Sequence, residues 1–287
     1  MPRGLDHIVH AVRDLDAVAD LYRRLGFVVG ARNRHPWGTH NHIVQLPGFF
    51  VELLTVGEPD KLGDDGFSRN FGAFNQSFLA RQEGLSILIL ESADSKADHR
   101  EFARADIAAS DVLSFSREGR RPDGSAMTVG FSLVFARDPT PADAGFATCH
   151  QSNPENFWNA AFQKHPNTVN AVAGAVLVAE NPTDHHIFLS AFVGERELHA
   201  TSLGVSVATP RGDIQIMDPA AYRSQFGVEP PDVKQGLRLA AIRFKVSNRN
   251  ALIAALETGE VDFAAHMALT VVPPAQALGA TLVFEAA

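Results

Sequence analysis

Apolar positions along this chain change their period in a repeating order. Residues 5–12 form an apolar run into which Asp6, His7 and His10 are set, a strand pattern with polar insertions. Asp14 then stands as an N-cap before Val18, Leu21, Tyr22 and Leu25, which recur at i, i+3, i+4 and i+7, and Gly26 follows as a stop. Extended stretches come next at 27–31, 42–46 and 49–56, the last two joined by Pro47-Gly48. The predicted unit is β-α-β-β-β.

That order recurs three times more. A second copy predicts a strand at 84–90, a helix at 95–105 and strands at 112–116, 127–135 and 145–150, with Pro122-Asp123-Gly124 as a turn. The third has a strand at 169–179, a helix opened by Asn181-Pro182 and stopped by Gly194, and strands at 203–208 and 213–217. The fourth has a strand at 237–246, a helix at 248–256 and a strand at 280–285. One such unit cannot bury the apolar face of its own sheet, so units should pair. The expectation is an α+β protein of four βαβββ modules paired into two domains, residues 1–155 and 156–287. Residues 57–82 far exceed an ordinary connection of about 4 to 6 residues, and are expected to cover something.

Composition narrows the partners. Among 287 residues, 25 Lys and Arg face 33 Asp and Glu, a net charge of −8 that disfavours nucleic acid and anionic membrane. No apolar run approaches the roughly 20 residues of a membrane span, and the N-terminus shows no charged-then-apolar leader, so the chain reads as cytoplasmic. The one cysteine, Cys149, excludes an intrachain disulfide and a multi-cysteine zinc site. Any metal must then be held by His, carboxylate or amide groups.

Strand alternation places His7 with Val9 and Ala11 on one face, and Glu52 with Phe50 and Leu54. A carboxylate inside such an apolar strand needs a cation or a hydrogen-bond donor. A metal shared with His7 satisfies it; so does a neighbouring Arg, Asn or Tyr, with His7 as a core residue. His35, His40 and His42, together with Asn41, surround one strand entrance. They read either as groups that orient an oxygenated substrate and move protons or as a solvated turn.

Four stretches carry a family likeness: Leu5-Asp6-His7-Ile8-Val9, Gly38-Thr39-His40-Asn41, Phe50-Val51-Glu52-Leu53, and Pro154-Glu155-Asn156-Phe157-Trp158 followed by His165-Pro166-Asn167. With them the chain resembles the vicinal oxygen chelate superfamily, the glyoxalase, extradiol dioxygenase and bleomycin-resistance group, and within it two-domain glyoxalase-like proteins. The resemblance covers essentially the whole chain. It implies half-open barrels and a divalent metal (Fe, Mn, Ni or Zn) held by His7 and Glu52.

For a third ligand, the partner strand offers only Ile87 opposite His7, and His150 is the choice, with Cys149 pointing away. Glu52, His40 and His42 are the candidate acid–base residues; Asn41, Asn156, Trp158 and His165 are candidates for holding substrate. In the second half Gly174 and Gln215 stand where His7 and Glu52 would be, so that half is expected to be structural. The function expected is a metal-dependent lyase, isomerase or oxygenase acting on a small oxygenated substrate, and a homodimer is allowed. The rival is a metal-free protein that sequesters a planar molecule, as the resistance members of the superfamily do.

Overall fold

The computed structural model describes residues 2–120 and 126–287. The Pro122-Asp123-Gly124 turn expected from sequence lies outside the described residues.

Each module forms in the predicted order. The first is β1 (Leu5–Ala11), α1 (Leu15–Arg24), β2 (Asn33–Arg34), β3 (Thr39–Leu46) and β4 (Phe49–Val56). An inserted segment with α2 (Ala73–Arg81) leads to the second: β5 (Gly84–Glu91), α3 (Ser95–Arg104), β6 (Leu113–Arg120), β7 (Ala126–Ala136) and β8 (Gly145–Gln151). After α4 (Pro154–Phe157) the third comprises β9 (Val169–Val178), α5 (His186–Val193), β10 (His199–Thr201), β11 (Gly204–Ala208) and β12 (Asp213–Met217). Then α6 (Pro219–Phe226) precedes the fourth, β13 (Arg238–Val246), α7 (Arg249–Thr258), β14 (Ala264–His266), β15 (Leu269–Val272) and β16 (Thr281–Ala286). The second strand of the first module is shorter and later than expected: residues 27–31 are irregular, because Phe27 turns into the core and Val28 donates its N–H to a side chain, His165 Nδ1.

Helix starts follow side-chain chemistry. Asp14 Oδ1 accepts from the N–H groups of Asp16 and Ala17, and Asp94 does the same for Lys96 and Ala97, each satisfying two donors that a helix leaves free. Gly26 closes α1 in a left-handed conformation at φ 81, and a Cβ there would lie 2.9 Å from Asn167 and Ala255. Only glycine both turns the chain and admits that packing.

Two mixed eight-stranded sheets result, ordered β2-β3-β4-β1-β5-β8-β7-β6 and β10-β11-β12-β9-β13-β16-β15-β14. In each, the first strands of two modules lie side by side and antiparallel, so paired modules share one sheet. The helix-bearing faces meet in one core, where α1 packs on α7 and α3 on α5, with Phe27 against Phe244 at 5.5 Å and Phe102 against Phe192 at 6.0 Å. Each sheet's opposite face has its own apolar cluster. The side chains that bear chemistry lie on that opposite face of the first sheet.

Candidate functional site

Alternation along β1 and β4 brings His7 and Glu52 together. Ile8, Val51 and Leu53 point to the helices, whereas Val9, Ala11 and Leu54 join the cluster on the other face, and His7 and Glu52 share that phase. His7 Nε2 lies 4.0 Å from Glu52 Oε2, and both groups are buried. Asp6 carboxylate Oδ1 accepts from His7 Nδ1 at 2.5 Å, which leaves Nε2 facing Glu52. The imidazole is also fixed by its stack on Phe50, with centroids 4.1 Å apart.

The other oxygen of Glu52 accepts from Asn41 Nδ2 at 2.5 Å, and the chain of bonds continues outward. Asn33 Nδ2 donates to Asn41 Oδ1 at 3.0 Å, and Arg117 Nη1 donates to Asn33 Oδ1 at 2.7 Å. Burial raises the Glu52 pKa, with the His7 and Asn41 contacts pulling the other way. His35 is held neutral, its pKa lowered to about 3 by burial and then by Arg117 and His40.

A cavity of about 60 Å³ lies against this pair. One wall is a stack of His35, Trp37 and Phe67, with spacings of 4.7 and 4.4 Å, and Phe115 set edge-on to Trp37 at 5.0 Å. The facing wall is Phe50, Phe157 and Phe131, successive rings 5.0 and 5.4 Å apart. Phe67 and Phe71 come from the inserted segment, so residues 57–82 do cover something: this cavity. There Asp65 accepts from the N–H groups of Phe67 and Ser68, and the turn at Ser68–Gly72 is a π-helix, a form concentrated at functional positions.

Several expected site residues lie elsewhere. Strand β3 directs Asn41 and Ile43 into the cavity, so His40 and His42 face away: His40 Nε2 meets Glu58 at 2.9 Å and His42 Nδ1 donates to the Gly30 carbonyl at 2.7 Å. The histidine that reaches the cavity from this cluster is His35. On β8, Phe146 faces the helices while Ala147 and Cys149 face the cavity side. Cys149 therefore lines the cavity, and His150 points the other way, its Nδ1 donating to the Ser92 carbonyl at 3.1 Å.

The stretch around α4 is displaced likewise. Its Phe157 enters the cavity, whereas Asn156 donates to the Thr128 carbonyl and Trp158 packs edge-on to Phe50 outside it. His165 is a structural bridge: Nδ1 accepts from Val28 N–H at 3.0 Å and Nε2 donates to the Gln45 carbonyl at 2.8 Å, tying the crossover to β3.

The donors converging here fit a divalent metal. Two ligands each about 2.0 to 2.2 Å from one ion lie roughly 3 to 4 Å apart, the spacing of His7 Nε2 and Glu52, and 4.0 Å is too long for a hydrogen bond between them. A buried carboxylate is favoured by a cation or a proton beside it. Registering the second module on the first through Asp94 and Asp14 puts Ile87 in place of His7 and Ala147 in place of Glu52, so that half offers nothing at the symmetric positions. One pleat further along β8, Cys149 supplies a thiol, and ligand atoms of Asp6, His7 and Cys149 lie within 4.8 Å of one another. Burial, then Asp6 and Glu52, hold that thiol well above its ordinary pKa. The carboxylate grouped with His7 and Cys149 is that of Asp6; Glu52 is not part of that group.

The second sheet shows the alternative solution. At its equivalent place Gly174 leaves a space filled by Asp213, whose Oδ1 would lie 2.2 Å from a Cβ there. Arg243 bridges Asp213 at 2.8 Å and Glu285 at 3.0 Å, so the protein's own guanidinium neutralises these carboxylates. Glu52 has no such side chain among the described residues.

Comparisons with known proteins agree on the fold. A family model described as glyoxalase-like domain matches residues 5–193. A hypothetical protein from Staphylococcus aureus superposes with a TM-score of 0.71 at 10% identity, over 99% of this chain and 100% of that one. A triple mutant of 4-hydroxymandelate synthase from Streptomyces coelicolor gives 0.54 at 12% identity, over 91% of this chain and 76% of that one. A fusion protein of a xylose isomerase-like TIM barrel and 4-hydroxyphenylpyruvate dioxygenase gives 0.53 at 12% identity, over 92% of this chain and 39% of that one. At such identities these likenesses speak for the fold alone. No curated protein matches the sequence.

Proposed function

The chain belongs to the glyoxalase-like domain family of the vicinal oxygen chelate superfamily, and from that premise we propose that it is a metal-dependent enzyme acting on a small oxygenated molecule. The site lies in residues 1–155, with 156–287 as a scaffold that also lends Phe157. The observation that carries this reading is His7 Nε2 facing a buried Glu52 at 4.0 Å with no cationic side chain between them. His7 and Glu52 would hold the ion, Cys149, which groups with His7 and Asp6, is the nearest further donor, and Asp6 fixes His7 in the tautomer that can ligate. When bound, a divalent ion supplies Lewis acidity toward substrate oxygens.

The remaining work falls to the chain's own groups. Asn41 orients Glu52 by donating to Oε1, so that its other oxygen faces the cavity. The aromatic walls exclude water and favour a flat molecule. Glu52 is the group placed to accept a proton from a bound substrate, since burial makes it a stronger base than an exposed carboxylate.

The apolar second half of the cavity and its stacked rings favour one other reading, a metal-free binder of planar molecules. Titrating untagged, chelator-treated protein with zinc, nickel and ferrous ions by calorimetry separates the two. One site per chain that disappears in His7→Ala supports the enzyme; absence of binding removes it and leaves the binder.

A further inference from the structure

A positive charge stands at the exposed edge of this cavity. Arg117 lines it from β6, two residues beyond Phe115 on the same strand face. Its guanidinium donates to Asn33 Oδ1 at 2.7 Å, and among the described residues no carboxylate pairs with it. Arg117 is an exposed residue, so it meets solvent on one side and the cavity on the other. Trp37, in the same wall, is 6% exposed, and its indole N–H has no acceptor. A buried donor left unbonded costs about 1 to 3 kcal/mol, so the Trp37 N–H is a place where an acceptor belongs.

These donors stand among flat ring faces, and the carboxylate end of the cavity lies away from them. Glu52 repels an anion at one end; Arg117 attracts it at the other. The relay from Arg117 through Asn33 and Asn41 to Glu52 holds the two ends in fixed relation, with bonds of 2.7, 3.0 and 2.5 Å. We infer that Arg117 and Trp37 form an anion-recognition subsite, so that the cavity takes a planar aromatic or conjugated carboxylate with its acid group toward Arg117 and its far end toward His7 and Glu52. This rests on the cavity being the ligand site, as proposed above, but not on a metal being bound.

The size of the cavity adds a consequence. About 60 Å³ holds a water or two, less than the roughly 150 Å³ of a cavity that takes benzene. A ring that enters must widen the cavity beside Trp37 and its stack on Phe67. The chain has two tryptophans, so in a Trp158→Phe background fluorescence reports on Trp37.

The test is a fluorescence titration of chelator-treated, full-length Trp158→Phe protein with benzoate and cinnamate against benzamide and cinnamamide, repeated in added Arg117→Gln and Arg117→Lys variants. The acids should bind about tenfold more tightly than their amides, the preference should vanish in Arg117→Gln with amide affinity unchanged, and Arg117→Lys should keep part of it. Equal affinity for acid and amide, a preference that survives Arg117→Gln, or no response to any of the four compounds overturns the proposal. Metal content is measured in parallel: Arg117→Gln should retain the ion, whereas Glu52→Gln should lose it yet still prefer acids, so failure of either reading is seen separately.

Discussion

Replacing Glu52 by Gln has opposite effects on stability with and without metal, and the signs follow from its surroundings. Burial raises the pKa of this carboxyl, with His7 and Asn41 acting against it. A carboxyl with a raised folded pKa binds its proton more tightly in the native state than in the unfolded chain. Its penalty is therefore absent below the unfolded value, near 4.5, grows as pH rises toward the folded value, and is full above it. Each unit of elevation costs about 1.4 kcal/mol there. Glutamine removes the charge and keeps an oxygen for Asn41. Metal-free Glu52→Gln should thus melt above the parent at pH 8, by about 2 to 4 °C per kcal/mol, with the gap closing near pH 4. Zinc at about 100 times its dissociation constant should add about 2.7 kcal/mol to the parent and nothing to the variant, reversing the order. Differential scanning fluorimetry across pH, with chelator or zinc, reads both. If metal-free Glu52→Gln melts lower at pH 8, the protein's own groups already satisfy the carboxylate and the case for a cation fails.

Other substitutions test the surrounding parts. Asp6→Asn should weaken metal binding about 10- to 100-fold in calorimetry without changing the circular dichroism spectrum, because the His7 tautomer is no longer enforced. Cys149→Ala should reduce zinc affinity while His150→Ala leaves it untouched, a contrast measurable in one competition assay with a chromophoric chelator. Phe67→Ala should cost about 3 kcal/mol in urea unfolding and shift Trp37 emission to the red by opening its ring face to water. Arg243→Met in the second sheet should destabilise the fold by about 1 to 3 kcal/mol at pH 7, since it strands Asp213 and Glu285, and that loss should shrink as acid neutralises them.

The module order was legible because each part has a local cause. Asp14, Asp94 and Asn248 cap their helices with their own side chains, Asn181 caps the 3-10 turn Pro182–His185 that leads into α5, and apolar spacing marks the helical faces between them. His7 and Glu52 could be brought to one face for a related reason: Val9 and Leu54, two residues along, fix the pleat. That cue fails on β3 and β8. In β3 both faces are buried, so Thr39, His40, Asn41 and His42 show no polar alternation, and the phase that sends Asn41 inward is set by pairing with β4. In β8, Phe146, Ala147 and Cys149 are all buried, so sequence could not tell whether Cys149 or His150 faces the cavity. Arg117 reaches Asn33 across 84 residues, and only the shared sheet discloses such a contact.

If His7 and Glu52 grip one divalent ion, that ion has a single expected place. Anomalous diffraction at the zinc edge, from crystals grown with zinc, measures this directly. A peak is expected about 2.0 to 2.2 Å from both His7 Nε2 and a Glu52 oxygen, with Asp6 still bonded to Nδ1. A zinc peak that avoids both residues, or a direct hydrogen bond between His7 and Glu52 with no peak nearby, would contradict that placement.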